Sequence, residues 1–180
     1  LVCLVGSEMC IRDRGKGGKM MDRFAKENAE YQKRLNITYL WQESVTAEQN
    51  KDYDEAFATL QEYQVAGGDE FMTAMRTGWL KALQGDYDAS ATAYDQATRI
   101  NSKSFNAKLG WMNVQIAKQD AAGMVNGAQR LLQLDPANYQ ALKIVATAFF
   151  TRGDYRTAEG KFLLLLSKYP MDIDSLAYLT

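Results

Sequence analysis

The chain contains no histidine. The commonest general base and the commonest soft-metal ligand are therefore missing, and serine triads, histidine-type zinc sites and haem attachment lose their basis. Cysteine is nearly as scarce: Cys3 and Cys10 are the only two in 180 residues, both in an N-terminal stretch unlike the rest. Once that stretch is set aside, disulfides and thiolate metal sites drop out. Apolar runs do not exceed five residues, as at 162–166, whereas a membrane-spanning helix needs about 20. Lys and Arg form no block and the net charge is −1, which argues against a phosphate-backbone binder. The glycine runs at 15–19 and 66–70 lack the spacing and the Lys-Ser/Thr pair of a phosphate loop. The expectations are no catalytic residue, no metal site, no cofactor, no nucleic acid and no membrane insertion.

What remains is 47% hydrophobic and 24% charged, enough for one modest domain or a short repeat array. Residues 1–19, LVCLVGSEMCIRDRGKGGK, show neither clean periodicity nor caps. As a secretory signal they fail, because no basic residue precedes a short apolar core that Glu8 interrupts. The stretch resembles the translated read-through of a sequencing adapter and is expected to be a non-native or disordered leader. Its presence leaves the compartment unreadable, cytoplasmic or periplasmic, for what is expected to be a soluble protein. Residues 20–36 carry a charged helical pattern with Phe24, Tyr31 and Leu35 as sparse apolar points, as in an N-terminal capping helix.

The stretch 139–170 reads as one helical hairpin. Leu142, Val145, Ala146 and Phe149 recur at i, i+3, i+4 and i+7 and so share one helix face. Gly153 stands where a helix end needs positive φ, and Asp154 can cap the next helix. Ala158, Phe162 and Leu165 face one way on that second helix, and Pro170 closes the unit. Shifted against itself, the chain repeats this unit. Asp52, Asp86, Asp120 and Asp154 are 34 residues apart, followed by Tyr53, Tyr87, Ala121 and Tyr155. Pro136 and Pro170 keep the same period. A fixed period of this length marks stacked hairpins, none of which buries its apolar face alone.

The period, the Gly-Asp-Tyr turns at 85–87 and 153–155, Ala158-x3-Phe162 and the Leu-Asp-Pro ending at 134–136 resemble the tetratricopeptide repeat. The resemblance implies an all-α solenoid, a right-handed superhelix of antiparallel helix pairs whose first helices line a concave groove. Its units would be 37–70, 71–104, 105–138 and 139–172, with 173–180 as the start of a truncated fifth. The first and third depart most: Lys51 and Gln119 occupy the turn-glycine position, and Met112 and Met124 stand where small residues normally sit. Gly110, Gly123 and Gly127 lie nearby, where they can restore close approach of the helices; they are also expected to weaken that repeat, at about 1 kcal/mol each against Ala.

Placed on this scheme, the groove candidates are Trp41 and Val45, then Met72, Met75, Arg76 and Trp79, then Asn106 and Asn113, then Lys143, Thr147 and Phe150. Aromatic anchors and adaptable methionines suit an apolar peptide or helix, although Trp41 and Trp79 would also serve as inter-repeat packing. The expected function is a non-catalytic scaffold or adaptor holding a peptide, helix or partner domain, with self-association through the exposed terminal edge as a further partner mode. The alternatives are a structural spacer or oligomerisation arm of a larger envelope, secretion or assembly protein, or a regulatory module of an enzyme whose catalytic domain lies beyond Thr180. The spacing of Arg76, Asn113 and Lys143 does not reproduce the clamp with which some members bind acidic chaperone tails. Glu43, Glu48, Glu55 and Glu62 read as solvated helix faces, the four repeat aspartates as caps, and Tyr53, Tyr87 and Tyr155 as packing beneath the turns. The run 162–166 is expected to be buried on two sides.

Overall fold

The structure, a computed structural model, describes the backbone of residues 8–179 and the side chains of residues 19–179. Expectations for residues 1–7, and for side chains up to residue 18, lie outside the described residues. Among the described residues there are helices and no strands: α1 Glu8–Gln49, α2 Tyr53–Val65, α3 Glu70–Leu83, α4 Tyr87–Ile100, α5 Phe105–Ala117, α6 Ala121–Leu132, α7 Tyr139–Thr151, α8 Tyr155–Lys168 and the short α9 Ile173–Ala177. Each helix packs on the next in chain order, so the molecule is an α-solenoid of antiparallel pairs. α1 runs through residue 36 without a break, and its side chains from 19 to 36, including Phe24, Tyr31 and Leu35, are exposed. Full burial begins at Leu40.

The corners inside the four hairpins are the same object. Lys51, Gly85, Gln119 and Gly153 all take positive φ, at 62°, 79°, 57° and 81°. The next residue is the periodic aspartate. Its N–H reaches back over the left-handed residue to a carbonyl five positions earlier: Asp52 to Ala47 at 2.9 Å, Asp86 to Lys81 at 2.9 Å, Asp120 to Gln115 at 3.0 Å and Asp154 to Phe149 at 3.0 Å. Its carboxylate accepts the third N–H of the following helix, from Glu55, Ala89, Gly123 and Thr157 at 3.1–3.2 Å. One residue thus closes one helix and caps the next, a cap worth about 1 kcal/mol. Lys51 and Gln119 accept a conformation that an L side chain resists by about 1–2 kcal/mol. Lys51→Gly and Gln119→Gly are each expected to raise stability by about 1 kcal/mol, after allowing for glycine's freer unfolded state. That is about 2–4 °C in a thermal melt of a chain this size. Gly85→Ala and Gly153→Ala should lose a similar amount, although nothing lies within 4 Å of the added Cβ. If the two glycine variants melted lower, backbone strain would not be what these corners carry.

In three of the four hairpins the helices carry a pair of small residues at the same register, and the third departs from it. In the first, the Ser44 hydroxyl donates to the Ala56 carbonyl at 2.7 Å; in the second, the roles of the two helices exchange and Ser90 donates to the Gly78 carbonyl at 2.6 Å. The fourth uses Ala146 and Ala158, both buried. In the third, Met112 is fully buried and Gly127 makes the room: a Cβ there would meet the Met112 Cβ at 2.9 Å. Gly110 serves a different contact. The buried Tyr94 ring enters between Gly78 and Gly110, where an added Cβ would lie 2.9 and 2.4 Å from ring carbons.

Two packing expectations are corrected. Tyr155 is 63% exposed, lying edge-on to Phe150 instead of beneath the turn. In the run 162–166, Phe162 and Leu165 are buried, whereas Leu163 (53% exposed) and Leu164 lie on the opposite side of α8 and face solvent, as do Gln61, Glu62, Gln96 and Gln129 at the same register in earlier repeats.

Candidate functional site

The first helix of each hairpin carries the stripe on which the candidate residues were placed, and the structure gathers them unevenly. On α1, Trp41, Ser44, Val45 and Glu48 follow helical spacing along one face; on α3 Met72, Met75, Arg76 and Trp79 do the same. Glu48 joins the two. One carboxylate oxygen accepts from the Trp79 indole N–H at 2.7 Å, and the other pairs with the Arg76 guanidinium at 2.8 Å. Arg76 Nε donates to the Ser44 hydroxyl at 2.9 Å, and the guanidinium lies over the Trp41 ring, 5.3 Å from its centroid. Trp41 also leans on Tyr63, with ring centroids 5.3 Å apart.

Burial separates the members of this cluster. The Arg76 side chain is 9% exposed and that of Glu48 22%, so the ion pair sits in a largely desolvated seam. Arg76 Nη2 is buried without a partner. Trp79 is 48% exposed even though its N–H is tied down. Glu48, read from the sequence as a solvated face, is instead the hub of the junction. Its signal was present: it stands seven residues after Trp41, on the same face.

The other candidates do not join this cluster. Val45 is half-buried, Met72 is exposed, and Met75 packs on the core of Ala74, Ala97 and Ala107. Asn106 and Asn113 are exposed on α5. Lys143 is engaged by Asp174 at 2.7 Å, Asp172 at 3.5 Å and the Tyr139 hydroxyl at 3.1 Å. The Asp174 hydrogen bond, with that of Tyr139, holds the ammonium well above its ordinary pKa. The Ser175 hydroxyl and Lys143 pull the Asp172 carboxyl below its own. Phe150 closes into an aromatic group with Tyr155 and Tyr178, at centroid distances of 5.3 and 4.9 Å. Thr147 lies instead with Lys143 on the wall of an apolar hollow of about 410 Å³ between α6 and α7.

Among the described residues, no group of three or more acidic, cysteine or histidine side chains is placed to hold a metal ion. No helix described is long and apolar enough to cross a membrane.

No family model and no curated protein matches this sequence. Solved structures do. A tetratricopeptide repeat protein from Parabacteroides merdae superposes with a TM-score of 0.69 at 16% identity, over 80% of this chain. The chain has the tetratricopeptide-repeat fold. It spans 57% of the length of the Parabacteroides protein. MamA from Desulfovibrio magneticus gives a TM-score of 0.63 at 15% identity, covering 78% of this chain and 79% of that one. YrrB, described as a tetratricopeptide protein with an unusual peptide-binding site, gives 0.60 at 11% identity, covering 78% and 73%. The side-chain bridges described above join α1 and α3, the first helices of two successive pairs.

Proposed function

We propose that this chain is a non-catalytic scaffold that holds a peptide, helix or partner domain in the concave groove of four tetratricopeptide repeats, 37–70, 71–104, 105–138 and 139–172. The observation that carries the reading is Trp79: an indole oriented by Glu48 yet half exposed. A large ring whose polar edge is already satisfied offers its apolar face at little cost in conformational entropy, as binding hot spots do. Exposed Met72 on the same face of α3 adds an adaptable apolar contact. The unusual peptide-binding site ascribed to YrrB supports peptide binding as a use of this fold.

The test is peptide display against the chain, followed by titration of the enriched peptides. Trp79→Ala is expected to weaken them by about 30-fold or more, the loss of a hot spot of about 2 kcal/mol. Circular dichroism should show the helices intact. Unchanged affinities would make Trp79 a packing residue and remove the groove reading.

A second reading, a stacking or oligomerisation arm, is favoured by one feature. Leu163 and Leu164 on α8, Met171 in the turn after it, and Ile173 and Leu176 on α9 are exposed apolar side chains at the α9 edge of the array. Sedimentation of Leu163→Glu against the parent chain separates the two readings, because only an arm that self-associates through this edge would dissociate.

A further inference from the structure

The hollow between α6 and α7 has a history in the repeat itself. At each junction the second helix of one repeat meets the first helix of the next, and two register positions can be followed from junction to junction. At the first junction these are Tyr53 and Leu80, packed in one core cluster. At the second they are Tyr87, half-buried, and Val114, buried. At the third they are Ala121 and Ala148. Both partners shrink at the same place, and the cavity of about 410 Å³ opens there, walled by Ala121, Met124, Val125, Ile144, Thr147 and Ala148. Ala148 is half-buried where Leu80 and Val114 are closed off. The backbone scaffold around the missing ring is retained: Asp120 makes the same cap and the same turn bond as Asp52 and Asp86.

We propose that this hollow receives one aromatic side chain of a bound polypeptide, in place of the tyrosine that the same register carries at the first two junctions, Tyr53 and Tyr87. The walls are mostly apolar, with Thr147, Thr151 and the Lys143 side chain along α7, and the Thr151 hydroxyl already donates to the Ala148 carbonyl, so a flat ring with a polar edge fits, and a charged group does not. Thr147 and Lys143 belong to the stripe assigned to the groove, so the ring would come from a polypeptide lying along it. The inference rests on the scaffold reading for the source of that ring and on the repeat geometry for the site.

The probe is N-acetyl-tyrosinamide, with N-acetyl-alaninamide as control, titrated into methyl-labelled chain and followed by NMR. The tyrosine compound is expected to shift the methyls of Ala121, Val125, Ile144 and Ala148 saturably, and the alanine compound to leave them in place. Ala121→Tyr should raise the melting temperature and abolish those shifts. Ala148→Leu, which fills the hollow from the other helix, should do the same if the first variant folds poorly. Display-selected peptides should contain an aromatic residue whose replacement by alanine costs about tenfold in affinity to the parent chain, and nothing in Ala121→Tyr. Absence of shifts with the tyrosine probe overturns the proposal, even where Trp79→Ala abolishes peptide binding and the groove stands. Shifts with the probe, but peptides indifferent to Ala121→Tyr, overturn it as well, leaving a site for free aryl compounds. Shifts together with peptides sensitive to Ala121→Tyr and indifferent to Trp79→Ala support the hollow and move the binding surface away from α3.

Discussion

Glu48→Ala is expected to destabilise the N-terminal part of the array by about 3 kcal/mol, the order of loss when one partner of a buried ion pair is removed. The reason lies in what is left behind. Arg76, 9% exposed, would keep only the Ser44 hydroxyl and the Trp41 ring, with Nη2 already unpartnered. Trp79 would lose the acceptor that orients it. Glu48→Gln retains an oxygen for the indole but not the charge, so its loss should be intermediate. Three tryptophans make the effect local and readable. Trp41 and Trp79 report the first junction, whereas Trp111 sits on α5 beneath Arg130, 4.9 Å from its ring. In a solenoid, stability is a sum of repeat and nearest-neighbour contributions. Urea unfolding followed through variants that keep one tryptophan each should therefore show the first junction opening before the third hairpin. A loss below about 1 kcal/mol would mean that the Arg76 guanidinium escapes to water, and that the seam is not desolvated as the geometry implies.

Ala158→Trp should cost about 3 kcal/mol, at the upper end of overpacking effects. Ala158 and Ala146 are both closed off where α7 and α8 come nearest, with Phe162 and Phe149 filling the space beside them. The third repeat shows what a larger residue on the first helix of a pair demands. Met112 is buried only because Gly127 offers no Cβ against it, and the residue in that register one repeat later is Lys161. On α7 the residue clustered with Ala158 is Ala146, which carries a Cβ, so no notch like that of Gly127 awaits a larger side chain from α8 either. Chemical denaturation of Ala158→Trp is the measurement; a silent substitution would mean that α7 and α8 do not approach at this pair.

The periodic features were legible because they are local. A residue that takes positive φ, then an aspartate that both closes and caps, needs only its neighbours in the chain, and the 34-residue spacing announced all four corners. Even the exceptions, Lys51 and Gln119, could be flagged, although not that they would be held in the left-handed conformation by the same backbone bonds as the glycines. The bends of Gly110 and Gly127 towards separate duties, one for Tyr94 and one for Met112, could not be assigned from the sequence, since each partner lies on a different helix.

The sequence by itself determined the repeat length, the corners, the helix caps and the fold class, because hydrogen bonds within a few residues and the helical spacing of apolar side chains specify them. Only the tertiary structure decided which side chains matter at the junctions: that Glu48 is a hub and not a solvated face, that Phe150 and Lys143 are occupied by their own neighbours, and that Ala121 and Ala148 wall one hollow. Those outcomes depend on the sizes and charges of residues on two separate helices taken together, and no single window of the chain contains both.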